Sequence, residues 1–147
     1  MKKTFFCVIT FLVLTLVSQS QEYKVVTIVE SIVPMGMGRS RMIMEKTPIN
    51  YQDFTTERTE GKDTESSKIS RKDAKIDAMD ETKLLNFYSG VGINFQNIAS
   101  NDAIIGSKIT AMAKEGWKLI FVTSGVESKG SKDDNAGIFI TRLFFTK

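Results

Sequence analysis

The chain has 147 residues and a net charge of +3, with no histidine and a single cysteine, Cys7. A cut after Ser20 leaves 127 residues at net +1 with neither thiol nor imidazole, enough for one domain and without global bias toward nucleic acid or anionic membrane. Disulfides, Cys/His zinc sites, cysteine nucleophiles and triads with a histidine base are thereby closed to the cut chain.

Residues 1–20 read MKKTFFCVITFLVLTLVSQS. Lys2 and Lys3 precede the apolar run 5–17, and Ser18 and Ser20 place small residues before the cut. This three-part order predicts a cleaved secretory signal. Thirteen helical residues span only about 20 Å, short of a hydrocarbon core of about 30 Å, so a membrane anchor fits less well. Cys7 stands too early for lipid attachment. The expected location is periplasmic or extracellular, with no stable membrane insertion after cleavage.

Residues 23–33, YKVVTIVESIV, are rich in β-branched side chains and predict a strand. Val25, Thr27, Val29, Ser31 and Val33 fall on one face; Val26, Ile28, Glu30 and Ile32 fall on the other. Apolar residues on both faces predict an interior strand. Pro34, Gly36 and Gly38 break it, and 39–45 predicts a returning strand.

Residues 52–75 change character. Phe54, Ile69 and Ala74 are their apolar side chains, against six basic and six acidic ones. Such a segment buries too little surface to offset ordering entropy of about 1–2 kcal/mol per residue. It is predicted to be a mobile polar loop within a single domain, 21–147.

Residues 76–100 leave two conformations open. Leu85 and Phe87 alternate as in a strand, whereas Ile76, Met79, Lys83 and Phe87 follow a helical spacing. The periodicity over 103–115 predicts a helix capped by Asn101 or Asp102. Its stripe is Ile105, Ile109 and Met112, widened by Ala113, and Gly116 is its left-handed stop. Residues 117–124 predict a strand with Trp117, Leu119, Phe121 and Thr123 on one face. A polar hairpin loop over 125–136 leads to a closing strand over 137–145. The order β-β-(undecided)-α-β-β predicts an α+β fold: an antiparallel sheet of four to five strands with one main amphipathic helix on one face.

Tyr23-Lys24-Val25-Val26, Glu115-Gly116-Trp117-Lys118-Leu119 and Leu143-Phe144-Phe145 before Lys147 resemble the two ends of a small, uncharacterised bacterial family of α+β domains. Lys118 stands where that family more often has Glu. The resemblance spans both ends of the cut chain and leaves out about 46–101. It implies a fold and no activity.

The candidate binding stretch is 86–102. Aromatic faces and side-chain amides around Gly90 and Gly92 suit a neutral polar ligand or a protein, with Tyr88, Asn94, Phe95, Asn97 and Asn101 as the expected contacts. The plain alternative is a structured loop with core aromatics. Met35, Met37, Met42 and Met44 form a second candidate set. Thioethers suit Cu(I), and equally serve as flexible apolar filler. Gly36-Met37-Gly38 and Gly90-Val91-Gly92 do not complete a phosphate-loop pattern, because Arg41 and Phe95 occupy the third-glycine place. Asp133, Asp134 and Asn135 are adjacent rather than alternating, as hairpin chemistry rather than a calcium loop requires. No Ser is followed by Lys three residues on, so the S-x-x-K pattern is absent. A small hydrolase working through paired carboxylates stays open as an alternative. The reading that follows is an exported, non-catalytic binding domain for a protein or a neutral polar ligand. No cofactor and no nucleic acid are expected.

Overall fold

The computed structural model describes residues 21–31, 40–62, 65–76, 78–89, 91–126 and 137–147. The export signal expected at 1–20, the turn methionines Met35 and Met37, and most of the hairpin loop expected at 125–136 lie outside the described residues.

Among the described residues, seven strands and one long helix follow in chain order. They are β1 (Tyr23–Ser31), β2 (Arg41–Glu45), β3 (Met79–Lys83), β4 (Tyr88–Ser89), β5 (Gly92–Ile93), α1 (Phe95–Lys114), β6 (Lys118–Val126) and β7 (Ile138–Thr146). Five of them form an antiparallel sheet in the order β3-β2-β1-β7-β6, while β4 and β5 make a two-residue hairpin. The protein is therefore an α+β fold with a five-stranded antiparallel sheet and one main helix. Strand β1 is central, in keeping with its apolar residues on both faces.

One sheet face and α1 enclose the core. Val26, Ile28, Met42, Leu143 and Phe145 point to the helix and meet Met112, Trp117 and Leu84, with Ile104, Ile105 and Ile109 packed around them. Each such side chain contributes about 1.5–3 kcal/mol through burial. The alternate residues Val25, Thr27, Val29, Ile43 and Phe144 form the other face, which no described helix covers. Met42 and Met44 both point to the helix side: Met42 is buried and Met44 packs against the cluster.

The helix begins eight residues before the predicted start. Asn94, not Asn101 or Asp102, is its N-cap, and its Oδ1 accepts the Asn97 N–H at 3.2 Å. The longer stripe takes in Ile98, Asn101, Ile105, Ile109 and Met112. Ala113, expected to widen it, is exposed, and Ile104 packs in its stead. The C-terminus closes as predicted on Gly116, at φ 90°. The Trp117 N–H donates to the Met112 carbonyl at 3.0 Å, and the Gly116 N–H to the Ala113 carbonyl at 3.0 Å. This paired closure delivers Trp117 onto Met112 in the core, the apolar contact that accompanies such a stop.

Strand β6 does not keep the face predicted for 117–124. A bulge between Leu119 and Phe121 shifts the register. Leu119 stands opposite Phe145 on the helix side, whereas Phe121 stands opposite Phe144 on the open side. An inserted residue exchanges the two faces beyond it, so Trp117 and Leu119 part from Phe121 and Thr123.

The polar segment carries two short 3₁₀ turns, Tyr51–Phe54 and Ser66–Lys68, with no buried residue in either. Bonds between near neighbours hold them, such as Asn50 Oδ1 accepting the Gln52 N–H at 3.2 Å. Strand β3, by contrast, takes residues 79–83 of the stretch left undecided between strand and helix. It is charged and sits at the sheet edge, where Glu81 pairs with Arg41 and Asp80 with Lys46.

Candidate functional site

The candidate stretch divides into a base and a tip. At the base, residues 84–87 lie between the ends of β1 and β2 and the first turns of α1. The Leu84 N–H donates to the Ser40 carbonyl at 3.1 Å. The Phe87 N–H donates to the Ser31 carbonyl at 3.0 Å, and the Phe87 carbonyl accepts from the Asn94 N–H at 2.7 Å. Ser40 Oγ accepts the Ser31 N–H at 3.0 Å and donates to Asn86 Oδ1 at 2.6 Å.

The amides expected to orient a ligand serve this base. Asn97 Nδ2 donates to the Asn86 carbonyl at 2.8 Å. Asn101 is fully buried, at 0% exposure. Its Oδ1 accepts the Leu85 N–H, and its Nδ2 donates to the Leu85 carbonyl and to Glu30 Oε1, each at 2.8 Å. One side-chain amide thus pairs both backbone groups of Leu85 as a neighbouring strand would. These bonds offset the cost of placing polar atoms in an apolar layer.

The tip is different. Val91 is 99% exposed, Phe95 76% and Ile93 53%. Tyr88 is half-buried opposite Ile93 in the hairpin. Phe87 is half-buried as well, and its ring packs on Phe139 with centroids 5.8 Å apart. Of the five expected contacts, Asn94, Asn97 and Asn101 therefore bond to the protein's own backbone. Phe95 faces solvent, and Tyr88 lies between the two environments. A sequence signal for the buried role of Asn101 did exist: it falls on the stripe Ile98, Ile105, Ile109 and Met112 once the helix is extended backward.

Comparison of the chain with family profiles, curated proteins and solved structures finds no match.

Glu30 carries the displaced carboxyl. Partial burial raises its pKa, the Asn101 hydrogen bond pulls the other way, and the charge of Asp102 adds to the rise. Glu30 thus feels the charge of Asp102 while its carboxylate accepts from Asn101. Among the described residues no group of three or more acidic side chains is placed to hold a metal. Of the methionine set, Met42 and Met44 belong to the core, and Met35 and Met37 lie outside the described residues.

Sequence reasoning missed a cleft of about 620 Å³ at the far end of the sheet, lined by Tyr23, Lys24, Lys46, Ile49, Ile76 and Trp117. The Lys24 Nζ lies 4.9 Å from the Trp117 ring centroid and the Lys147 Nζ 5.8 Å. Backbone bonds of 3.1 and 3.0 Å between Glu22 and Lys147 bring these distant segments together. Cationic groups over an indole face are attracted by its quadrupole, and their stems shield the ring from water. Glu22 and Glu45 are the carboxylates that line this cleft; Glu30 and Asp102 do not.

Proposed function

We propose that this protein is an exported, non-catalytic interaction domain whose partner is a protein seated on the tip at residues 91–95. The observation that carries this reading is the division of labour in the candidate stretch. Asn94, Asn97 and Asn101 are engaged with backbone, while Val91, Ile93 and Phe95 stay exposed beside one another in sequence. Engaged amides offer little to a neutral polar ligand, whereas aromatic and aliphatic side chains on an ordered scaffold are the anchors protein interfaces use. Export rests on the signal pattern of residues 1–20.

A photo-crosslinking side chain at Val91 tests the reading, with a control at Thr110 on the exposed flank of α1. The expected result is a discrete protein adduct from Val91 and none from Thr110, lost when Ile93→Ser and Phe95→Ser are combined in a variant of unchanged melting temperature. Equal adducts at both positions, or an adduct that survives the double change, overturns it. N-terminal sequencing of the exported protein is expected to begin at Gln21.

A further inference from the structure

The two edges of the sheet are unlike. The outer edge β3 reads MDETK, and its Glu81 and Asp80 pair with Arg41 of β2 and with Lys46 just beyond it. The outer edge β6 reads KLIFVTSGV, has nine residues and is exposed along its whole length. Among the described residues nothing pairs with its outer side. Edge strands are ordinarily blunted by brevity, charge or proline; β6 has a bulge near its start, a single charge at Lys118 and no proline.

Beyond the bulge the strand is regular from Phe121 to Val126 and carries no charge. We propose that residues 121–125 of this segment pair antiparallel with the same residues of a second copy, about a two-fold axis at Thr123, joining two sheets into one of ten strands. The side-chain sizes are self-complementary in that register. Phe121 stands opposite Gly125 of the partner subunit, Val122 opposite Ser124 of the partner subunit, and Thr123 opposite Thr123 of the partner subunit. A phenyl ring over a cross-strand glycine covers exposed backbone, and a Thr–Thr pair is a favourable neighbour. The spacing keeps like side of sheet with like side, so both helices lie on one face. Lys118 falls outside the paired stretch, and no like charges meet.

A second copy fits better than an extended peptide. In both copies β6 is already ordered by its ladder with β7, so pairing fixes little additional chain, whereas a free peptide loses its backbone freedom on docking. A short isologous ladder gives a reversible dimer, below the size of a permanent interface.

Sedimentation equilibrium of the protein produced from its full coding sequence, over about a hundredfold range of concentration, tests this. The apparent mass is expected to rise from one copy toward two. Thr123→Glu places two carboxylates on the axis and is expected to weaken association at least about tenfold, because like charges directly opposite repel. The monomer tolerates that change, since Arg142 stands opposite Thr123 on β7. Met79→Lys at the β3 edge, opposite Glu45, is expected to leave association unchanged. Hydrogen exchange of the unaltered protein gives an independent reading: protection of residues 121–125 rises with concentration and that of β3 does not. A monomer at every concentration overturns the proposal. So does a dimer insensitive to Thr123→Glu, or one whose added protection falls outside β6.

Discussion

Asn101 Nδ2 donates to Glu30 Oε1 at 2.8 Å, so a side chain in the second turn of α1 meets one on the central strand within the helix–sheet layer. The same amide pairs both backbone groups of Leu85. Helix, sheet and the strap at 84–87 are thereby joined at a single residue, which places the exposed tip on a fixed base.

That contact makes stability depend on pH. Desolvation raises the Glu30 pKa in the folded protein, with the Asp102 charge acting in the same direction. A carboxyl raised on folding contributes stability that is fully present below its unfolded value and is lost as pH rises through the folded one. Glu30→Gln keeps an acceptor for Asn101 and removes the charge. It is expected to be more stable than the parent at pH 7, by up to about 1 kcal/mol given the screening of a half-exposed group. Denaturant titrations at several pH values check this. The two proteins should converge below about pH 4, where the parent carboxyl is itself neutral. A variant less stable than the parent at pH 7 would show that the ionised carboxylate holds Asn101 in place.

Trp117 closes the opposite end of the core. It is buried against Met112 and flanked by the Lys24 and Lys147 ammonium groups. Truncation of a buried aromatic costs about 3–5 kcal/mol, against about 5–15 for a whole domain. Trp117→Ala is expected to be insoluble or to melt far below the parent. Lys24→Met keeps the covering stem and loses the charge, so it should shift the melting temperature by only a few degrees, in line with about 0.5–1 kcal/mol for a cation over an indole that keeps contact with solvent. A Trp117→Ala protein melting close to the parent would remove the indole from the core.

What the sequence showed follows from how local each determinant is. Strand β1, strand β7 and the Gly116 stop announce themselves through nearest neighbours: β-branched runs and a glycine after an apolar period. The helix start did not, because Asn97 and Asn101 read as loop residues until Asn86 and Leu85, eleven and sixteen positions away, take up their amides. Strand β3 was hidden for a like reason. Its sequence MDETK has no apolar alternation, and its order comes from pairing with β2. The bulge in β6 leaves no mark in composition and inverts the faces of Phe121 and Thr123. The candidate stretch was legible as aromatics and amides together; that the amides face inward and Phe95 outward is a tertiary fact.

The expectation for residues 52–75 is a kinetic one. Both 3₁₀ turns lack buried side chains, and Arg58, Lys62, Lys68, Arg71, Lys72 and Lys75 are exposed. Proteolysis requires local opening, which is least costly where few apolar contacts must break. Trypsin is therefore expected to cut within this segment before it cuts at Lys24, Lys108 or Lys118, leaving two fragments that co-elute. Mass spectrometry of the first products reads this directly, and earlier cleavage at Lys108 would place the weakest point in the helix.

Two glycines in one helix–turn unit should respond to alanine with opposite signs. Gly106 is exposed in α1, and a Cβ built there meets nothing within 4 Å. Helical glycine is about 0.8–1 kcal/mol less favourable than alanine, so Gly106→Ala should stabilise by up to that amount. Gly116 differs in backbone rather than in space. A Cβ there would make ordinary contact with Lys147 Cε at 3.5 Å, but φ is 90°, a conformation that side-chain-bearing residues adopt at a cost of about 1–2 kcal/mol. Alanine at Gly116 should therefore destabilise by about that much, and further where the turn shifts and lifts Trp117 from Met112. Tm values for the two single variants and the double variant decide the matter. Because the sites are ten residues apart and share no bond, the double variant should melt near the sum of the single shifts. A stabilising Gly116→Ala would mean that the helix does not end in the left-handed turn that feeds Trp117 into the core.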